Sequence, residues 1–398
     1  MQRLPILACL FLFAAPVAAQ DKFFFQKGDR VLFLGDSITE QYHYSNAIEL
    51  YLTTRFPDWN LFFLNAGIGG DTANGGANRF QKHVLDEKPT AITINFGMND
   101  GGYGKFDEKR NELFVKKTTE MLEAAKKAGV RVALVSPNAV DRRNKTNGAV
   151  YLETQKQFYA PLKDIAEKNG AAYSDQYSTT RAALERMEKD DPKLEKVKPF
   201  GDGFHTAPSG GLFMAHAILT GLKAPAIVSD VSIEGGKAKS ERCKVEKLEV
   251  GDEKVSFTRT DEATPLPVQK DWVSLLPYVN DLKDLNLYTL KIKNLKQGIW
   301  GVFVDGKEIA KYSAEQLSEG VNLGNATSGP IFDHGQKIYT AIIEKNKINA
   351  KRFRGTILSK KPDADVIAKL LEEIKEKQTE IHKMNTPKTW SYEVKLSK

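Results

Sequence analysis

The sequence predicts an α/β fold: a parallel sheet covered by helices on both faces, followed by a β-rich and then helical C-terminal region. Two observations carry this. From Gly28 to about Leu222, short apolar segments alternate with helical patterns, whereas after about Pro225 the apolar residues alternate singly. RVLFL (30–34), LFFLNAG (61–67), AITINFG (91–97), RVALVSP (131–137) and AAYSD (171–175) are apolar and bounded by turn residues. Strands buried on both faces read this way. Between them lie helical stretches, clearest at 107–129, where apolar residues recur at helical spacing and a glycine closes the run. Strand–helix alternation gives a parallel sheet in a three-layer sandwich.

Beyond Pro225 the pattern changes. CKVEKLEVGDEKVSFTRT and LYTLKIKNLKQGIWGVFVDGKEIAKYS alternate apolar and polar residues, with turn signals at GD, KQG and DG. Residues 336–358 return to helical spacing, and 362–385 read as a strongly charged helix. The expected divisions are therefore a signal segment over 1–19, a first domain over 20–225, a β-rich accessory region over 226–335 and a helical C-terminal segment over 336–398.

MQRLPILACLFLFAAPVAAQ has one arginine, an apolar run from Leu4 to about Val17, and small residues at Ala18 and Ala19. That is the pattern of a cleavable secretory signal cut after Ala19, so a secreted or periplasmic protein is expected, with no stable membrane insertion after cleavage. Loss of Arg3 lowers the formal charge from +7 to +6 and leaves Cys243 as the single cysteine, so no internal disulfide forms. The positive balance comes from lysines scattered among glutamates, which is a solvated helix face and not a nucleic-acid surface. The six histidines (43, 83, 205, 216, 334, 382) have no metal-ligand spacing. No metal and no cofactor is expected. His216 is expected to be packed, and Trp272, Trp300 and Trp390 to serve the core.

Ligands bind outside the carboxyl ends of the strands in open parallel sheets. Four unusual stretches fall at that edge. Ser37 follows the first strand, NAGIGGDTANGG (65–76) the second and FGMNDGG (96–102) the third; GDGFHTAPSGG (201–211) comes last. Each has an ordinary reading. Ser37 could cap a helix, the glycines could line a loop, Asn99-Asp100 could make a turn, Asp202 could cap the next helix, and His205 could lie on the surface. Together they meet the needs of acyl transfer. A serine hydroxyl needs a neutral imidazole to take its proton, and the imidazole needs a carboxylate on its other nitrogen. Asp202 and His205 lie three residues apart. The Ser37 and Gly70 N–H groups with the Asn99 amide would offer three donors to an oxyanion.

GDSIT, NAGIGGD, GMND and DGFH resemble the four motif blocks of the SGNH (GDSL-type) hydrolases, in that family's order, over about residues 28–222. The resemblance implies a flavodoxin-like three-layer fold, with Ser37 as nucleophile, Asp202 and His205 completing the triad, and Gly70 and Asn99 in the oxyanion hole. Ile38-Thr39 replaces the leucine common after the family's serine; both residue types suit that turn. The implied activity is carboxylic ester hydrolysis through an acyl-enzyme. The expected substrate is a small ester or acylated glycan, above all an O-acetylated carbohydrate. Alternatives are a lysophospholipase- or thioesterase-like lipid esterase, and a non-catalytic glycan-binding protein on a hydrolase scaffold. No nucleic-acid partner is expected, and the sequence leaves the oligomeric state open.

Overall fold

The computed structural model describes residues 22–144 and 148–397; the signal segment predicted over 1–19 lies outside them. The first part is built on five strands, β1 (Arg30–Gly35), β2 (Phe62–Gly67), β3 (Ala91–Asn95), β4 (Arg131–Val135) and β5 (Ala172–Ser174). They run in the order β2-β1-β3-β4-β5, and every neighbouring pair is parallel. This is the flavodoxin-like order, with a reversal of strand order beside β1. The alternation expected from the sequence is therefore the fold observed.

Eight helices accompany the sheet: α1 (Ser37–Glu40), α2 (His43–Arg55), α3 (Ala73–His83), α4 (Glu108–Lys127), α5 (Gly148–Tyr159), α6 (Leu162–Asn169), α7 (Gln176–Asp190) and α8 (Gly210–Gly221). Two cores result because successive strand residues face opposite ways. Val31 and Phe33 face α2, α7 and α8, whereas Leu32 and Leu34 face α3, α4 and α6. His216 on α8 is buried, as expected, and is paired with Asp284 at 2.9 Å.

The C-terminal part is a β-sandwich joined to a helical pair. β6 (Ile227–Glu234), β7 (Lys237–Glu241), β8 (Cys243–Val250), β9 (Lys254–Asp261), β10 (Leu287–Ile292), β11 (Ile299–Val304), β12 (Lys307–Ser313), β13 (Val321–Asn322) and β14 (Thr389–Leu396) form two sheets. Their orders are β13-β10-β6-β7 and β12-β11-β14-β9-β8. Val231, Leu290 and Ile292 of one sheet share a core with Val255, Trp300 and Val304 of the other. Trp272 and Trp300 are buried and Trp390 half-buried, all against apolar neighbours.

The segment expected to be helical over 336–398 differs in its last residues. After α9 (Ala314–Glu319) come α10 (Pro330–Ala350), a π-helical stretch Lys351–Ile357 and α11 (Ala364–Met384); then β14 returns to the sandwich between β9 and β11. Its period-two pattern, Trp390, Tyr392, Val394, Leu396, carries that signal in the sequence.

Buried polar contacts join the two parts. Lys345 on α10 is fully buried and pairs with Glu49 on α2; its ammonium also donates to Gln378 Oε1 on α11 at 3.0 Å. Asn346 donates to Asn46 and Glu49, each at 2.8 Å. The Arg55 guanidinium, also buried, donates to the carbonyls of Pro225, Ile227 and Leu285. Burial lowers the Arg55 pKa to about 10, and Lys345 moves down for the same reason against the pull of Glu49. Removing one partner of a buried pair strands the other charge, at a cost of about 3–5 kcal/mol. Lys345→Met is expected to destabilise the chain by that much in chemical denaturation. Adding Glu49→Leu should restore most of the loss; two independent, additive losses would contradict the pairing.

Candidate active site

Ser37 opens α1 directly after β1. The residue before it does the capping: the Asp36 carboxylate accepts the Ile38 N–H at 3.0 Å. The Ser37 side chain is therefore not needed for the cap. Its Oγ lies 2.8 Å from His205 Nε2, and His205 Nδ1 lies 2.7 Å from Asp202 Oδ2. An ionised carboxylate only accepts, so Nδ1 carries the ring proton and Nε2 is left as the acceptor facing Ser37. The loop is self-ordered: Asp202 Oδ1 also accepts the N–H groups of Phe204 and His205, at 3.2 and 2.8 Å. Partial burial favours the protonated acid, but the bonds from the His205 ring and these two N–H groups outweigh it. The net effect holds Asp202 below the ordinary aspartate range.

Two more loops meet at this edge. Gly70 sits in the turn after β2 with φ +74°, a left-handed value that suits glycine, and nothing lies near where a Cβ would be. Neither the Ser37 nor the Gly70 N–H has an acceptor among the described residues. Asn99, after β3, donates from Nδ2 to the Asp71 carbonyl at 2.8 Å, which ties the second and third loops together. An amide nitrogen has two protons, so one remains for another acceptor. The structure thus brings Ser37, His205 and Asp202 into one chain of contacts, and places Gly70 and Asn99 on neighbouring loops of the same sheet edge.

α1 is pressed onto the strand ends. A Cβ on Gly67 would fall 2.3 Å from the Glu40 backbone nitrogen. Asn65 on β2 completes the fit: its Nδ2 donates to the Thr39 carbonyl at 2.8 Å, and its Oδ1 accepts the Gly67 N–H at 2.8 Å. Gly67→Ala is expected to push α1 away from the sheet, with a loss of about 2–4 kcal/mol in stability because backbone must move. The measurement is a denaturation midpoint, and a shift within error would show that α1 is not held by this approach.

Several contributors escaped the sequence reading. Tyr103 donates its hydroxyl to Asn99 Oδ1 at 2.8 Å. Arg354, on the π-helical stretch, pairs with Glu40 of α1 at 2.6 Å. Trp272 donates its indole N–H to the Pro208 carbonyl, three residues past His205, at 3.3 Å. Arg354 and Trp272 meet partners far along the chain, so no short-range signal marks those two contacts; Tyr103 lies four residues from Asn99, but their bond needs the left-handed turn at Gly102 and Tyr103. Among the described residues no group of three or more His, Cys, Asp or Glu side chains is placed to hold a metal ion.

Residues 33–210 match the model of the GDSL-like Lipase/Acylhydrolase family. The chain carries a GDSL-like lipase/acylhydrolase domain. Over 143 residues it is 30% identical to the uncharacterized lipoprotein YqeF of Bacillus subtilis (strain 168), covering 35% of this chain and 57% of that protein. Over 137 residues it is 28% identical to thioesterase 1/protease 1/lysophospholipase L1 of Escherichia coli (strain K12), covering 34% of this chain and 65% of that one. The matches thus span less than two thirds of either relative. A solved structure described as a gut microbial diltiazem-metabolizing enzyme superposes with a TM-score of 0.83 over 95% of this chain and 100% of its own, at 21% identity. The shared fold therefore includes the C-terminal part as well as the GDSL-like domain.

Buried charge near the nucleophile has a measurable consequence. Asp36 is fully buried, and burial, with Asp100 and Asp71 nearby, raises its pKa to about 7 against the bond from Ile38. In the unfolded chain it titrates near 4, an ordinary aspartate value of roughly 3.9. Between those limits the folded chain holds a proton that the unfolded chain has lost, so this group's stabilising effect is complete at low pH and is lost as pH rises through about 7. Asp36→Asn keeps an oxygen for the cap and cannot ionise. Its stability relative to the native chain should therefore improve from pH 5 to pH 8. Equal differences at both values, measured by denaturation, would contradict the raised pKa.

Proposed function

We propose that this protein is an exported serine hydrolase that cleaves carboxylic esters through an acyl-enzyme. The observation that carries the reading is the Ser37–His205–Asp202 chain of contacts, at 2.8 and 2.7 Å. In this reading His205 Nε2 takes the Ser37 proton as Oγ attacks the ester carbonyl, and the ionised Asp202 stabilises the imidazolium that forms. The Ser37 and Gly70 N–H groups and the Asn99 amide receive the oxyanion. His205 then returns the proton to the departing alcohol. Water attacks the acyl-Ser37 ester by the same route, and the acid leaves.

The proposed substrate is a small O-acyl ester, in particular an acetyl group on a carbohydrate or similar alcohol. Its support is the export expected from the N-terminal sequence, together with the match to a lipoprotein. Among the described residues no helix is long and apolar enough to cross a membrane. A second reading, a lipid esterase or thioesterase, is favoured by the relative whose name combines thioesterase and lysophospholipase. Purified protein should be assayed on acetylated sugars, acyl-thioesters and lysolipids, with Ser37→Ala as the blank. Loss of a serine nucleophile costs on the order of 10⁶ in turnover, so Ser37→Ala is expected to be inactive on every substrate. Activity above a few per cent would reject the nucleophile.

A further inference from the structure

We propose that Tyr103 is a positioning residue that sets the orientation of the Asn99 amide and couples it to the His205 loop. The assignment rests on the serine-hydrolase reading of the site.

Three independent observations support it. First, Tyr103 has φ +56°, directly after Gly102 at +69°. Tyrosine adopts that left-handed conformation rarely, and such strain persists only where the surroundings hold it. Second, its hydroxyl lies 2.8 Å from Asn99 Oδ1. An amide oxygen only accepts, so the phenol donates. This bond, with that from Nδ2 to the Asp71 carbonyl, fixes which end of the amide is oxygen and which is nitrogen. A flipped amide would set its oxygen against the Asp71 carbonyl, which only accepts, and would turn away the N–H left for substrate; the phenol holds the amide oxygen in the plane that the carbonyl selects. Third, the Tyr103 ring packs at 4.8 Å from Phe204, and Phe204 at 4.5 Å from the His205 ring. The Tyr103 ring also meets Tyr151 at 5.2 Å, whose hydroxyl is anchored on the Met98 carbonyl at 2.6 Å. One side chain thus touches the donor loop and the loop that carries the base. Burial, with Asp36, Asp202 and Asp100 nearby, pushes the phenol pKa far above its ordinary value, so it remains a donor throughout the working pH range.

The test is a double-mutant cycle. Tyr103→Phe keeps the ring and removes only the hydroxyl. Turnover of p-nitrophenyl acetate is measured for the native chain, Tyr103→Phe, Asn99→Ala and the double variant, alongside the rate of Ser37 phosphonylation by a fluorophosphonate. Tyr103→Phe is expected to lower kcat about tenfold, the effect of one hydrogen bond, with KM within twofold and the thermal midpoint nearly unchanged. Asn99→Ala should lower kcat about 100-fold, as loss of an oxyanion donor does. The double variant should match Asn99→Ala, because the hydroxyl has nothing left to orient. An unchanged kcat in Tyr103→Phe, a loss confined to KM, or a further tenfold loss in the double variant would overturn the assignment. Failure of the underlying reading looks different: the native chain would then neither turn over the ester nor label, or Ser37→Ala would keep both reactions.

Discussion

The site depends on the close approach of a four-residue helix to the ends of two parallel strands. α1 follows β1 with only Asp36 between them, and it can lie flat on β2 only because Gly67 has no side chain. Everything at the serine follows from that contact. Asn65 reaches from β2 to hold the α1 backbone, and Asp36 takes the capping role that would otherwise fall to the serine. The Ser37 hydroxyl is thereby left to meet a ring nitrogen 168 residues further along the chain. Rigid strands set this geometry better than flexible loops would, which fits the need of acyl transfer for groups held in register.

The same edge gathers negative charge. Burial, with the Asp71 carboxylate nearby, raises both Asp36 and Asp100 to about 7, and Asp100 adds to the rise at Asp36. Asp71 is partnered by Arg79 at 2.8 Å, while among the described residues Asp36 and Asp100 accept from the backbone N–H groups of Ile38 and Ala73. Carboxylates used in this way order the loops through hydrogen bonds and avoid the long side chains that a surface ion pair must immobilise.

The C-terminal half is bound into this arrangement. Every triad candidate precedes Pro225, so the sequence suggests an appendage concerned with substrate choice or stability. In the structure, Arg354 meets α1, Trp272 meets the loop after His205, and Lys345 lies buried against Glu49. The two halves thus share buried polar groups whose separation would leave charges and carbonyls without partners. The solved structure that aligns over nearly the whole chain has the same combination of parts.

Much of this was legible in the residues themselves. The five strands, the sheet they form and the order of the four motifs come from local patterns: apolar runs, turn glycines and helical spacing. These depend on near neighbours, so a linear reading reaches them. The strand at 389–396 was legible too, in its alternation, although the charged helix before it suggested that helix would continue. What only the tertiary structure decided is pairing at a distance. That Asn65 meets Thr39, that Trp272 meets the Pro208 carbonyl, and that Arg354 meets Glu40 depend on which chain segments the two cores bring together. A lysine at 345 reads as a solvated charge in the sequence, because nothing local distinguishes it from the exposed lysines around it. Only the packing of α10 against α2 removes it from water and obliges Glu49 to meet it.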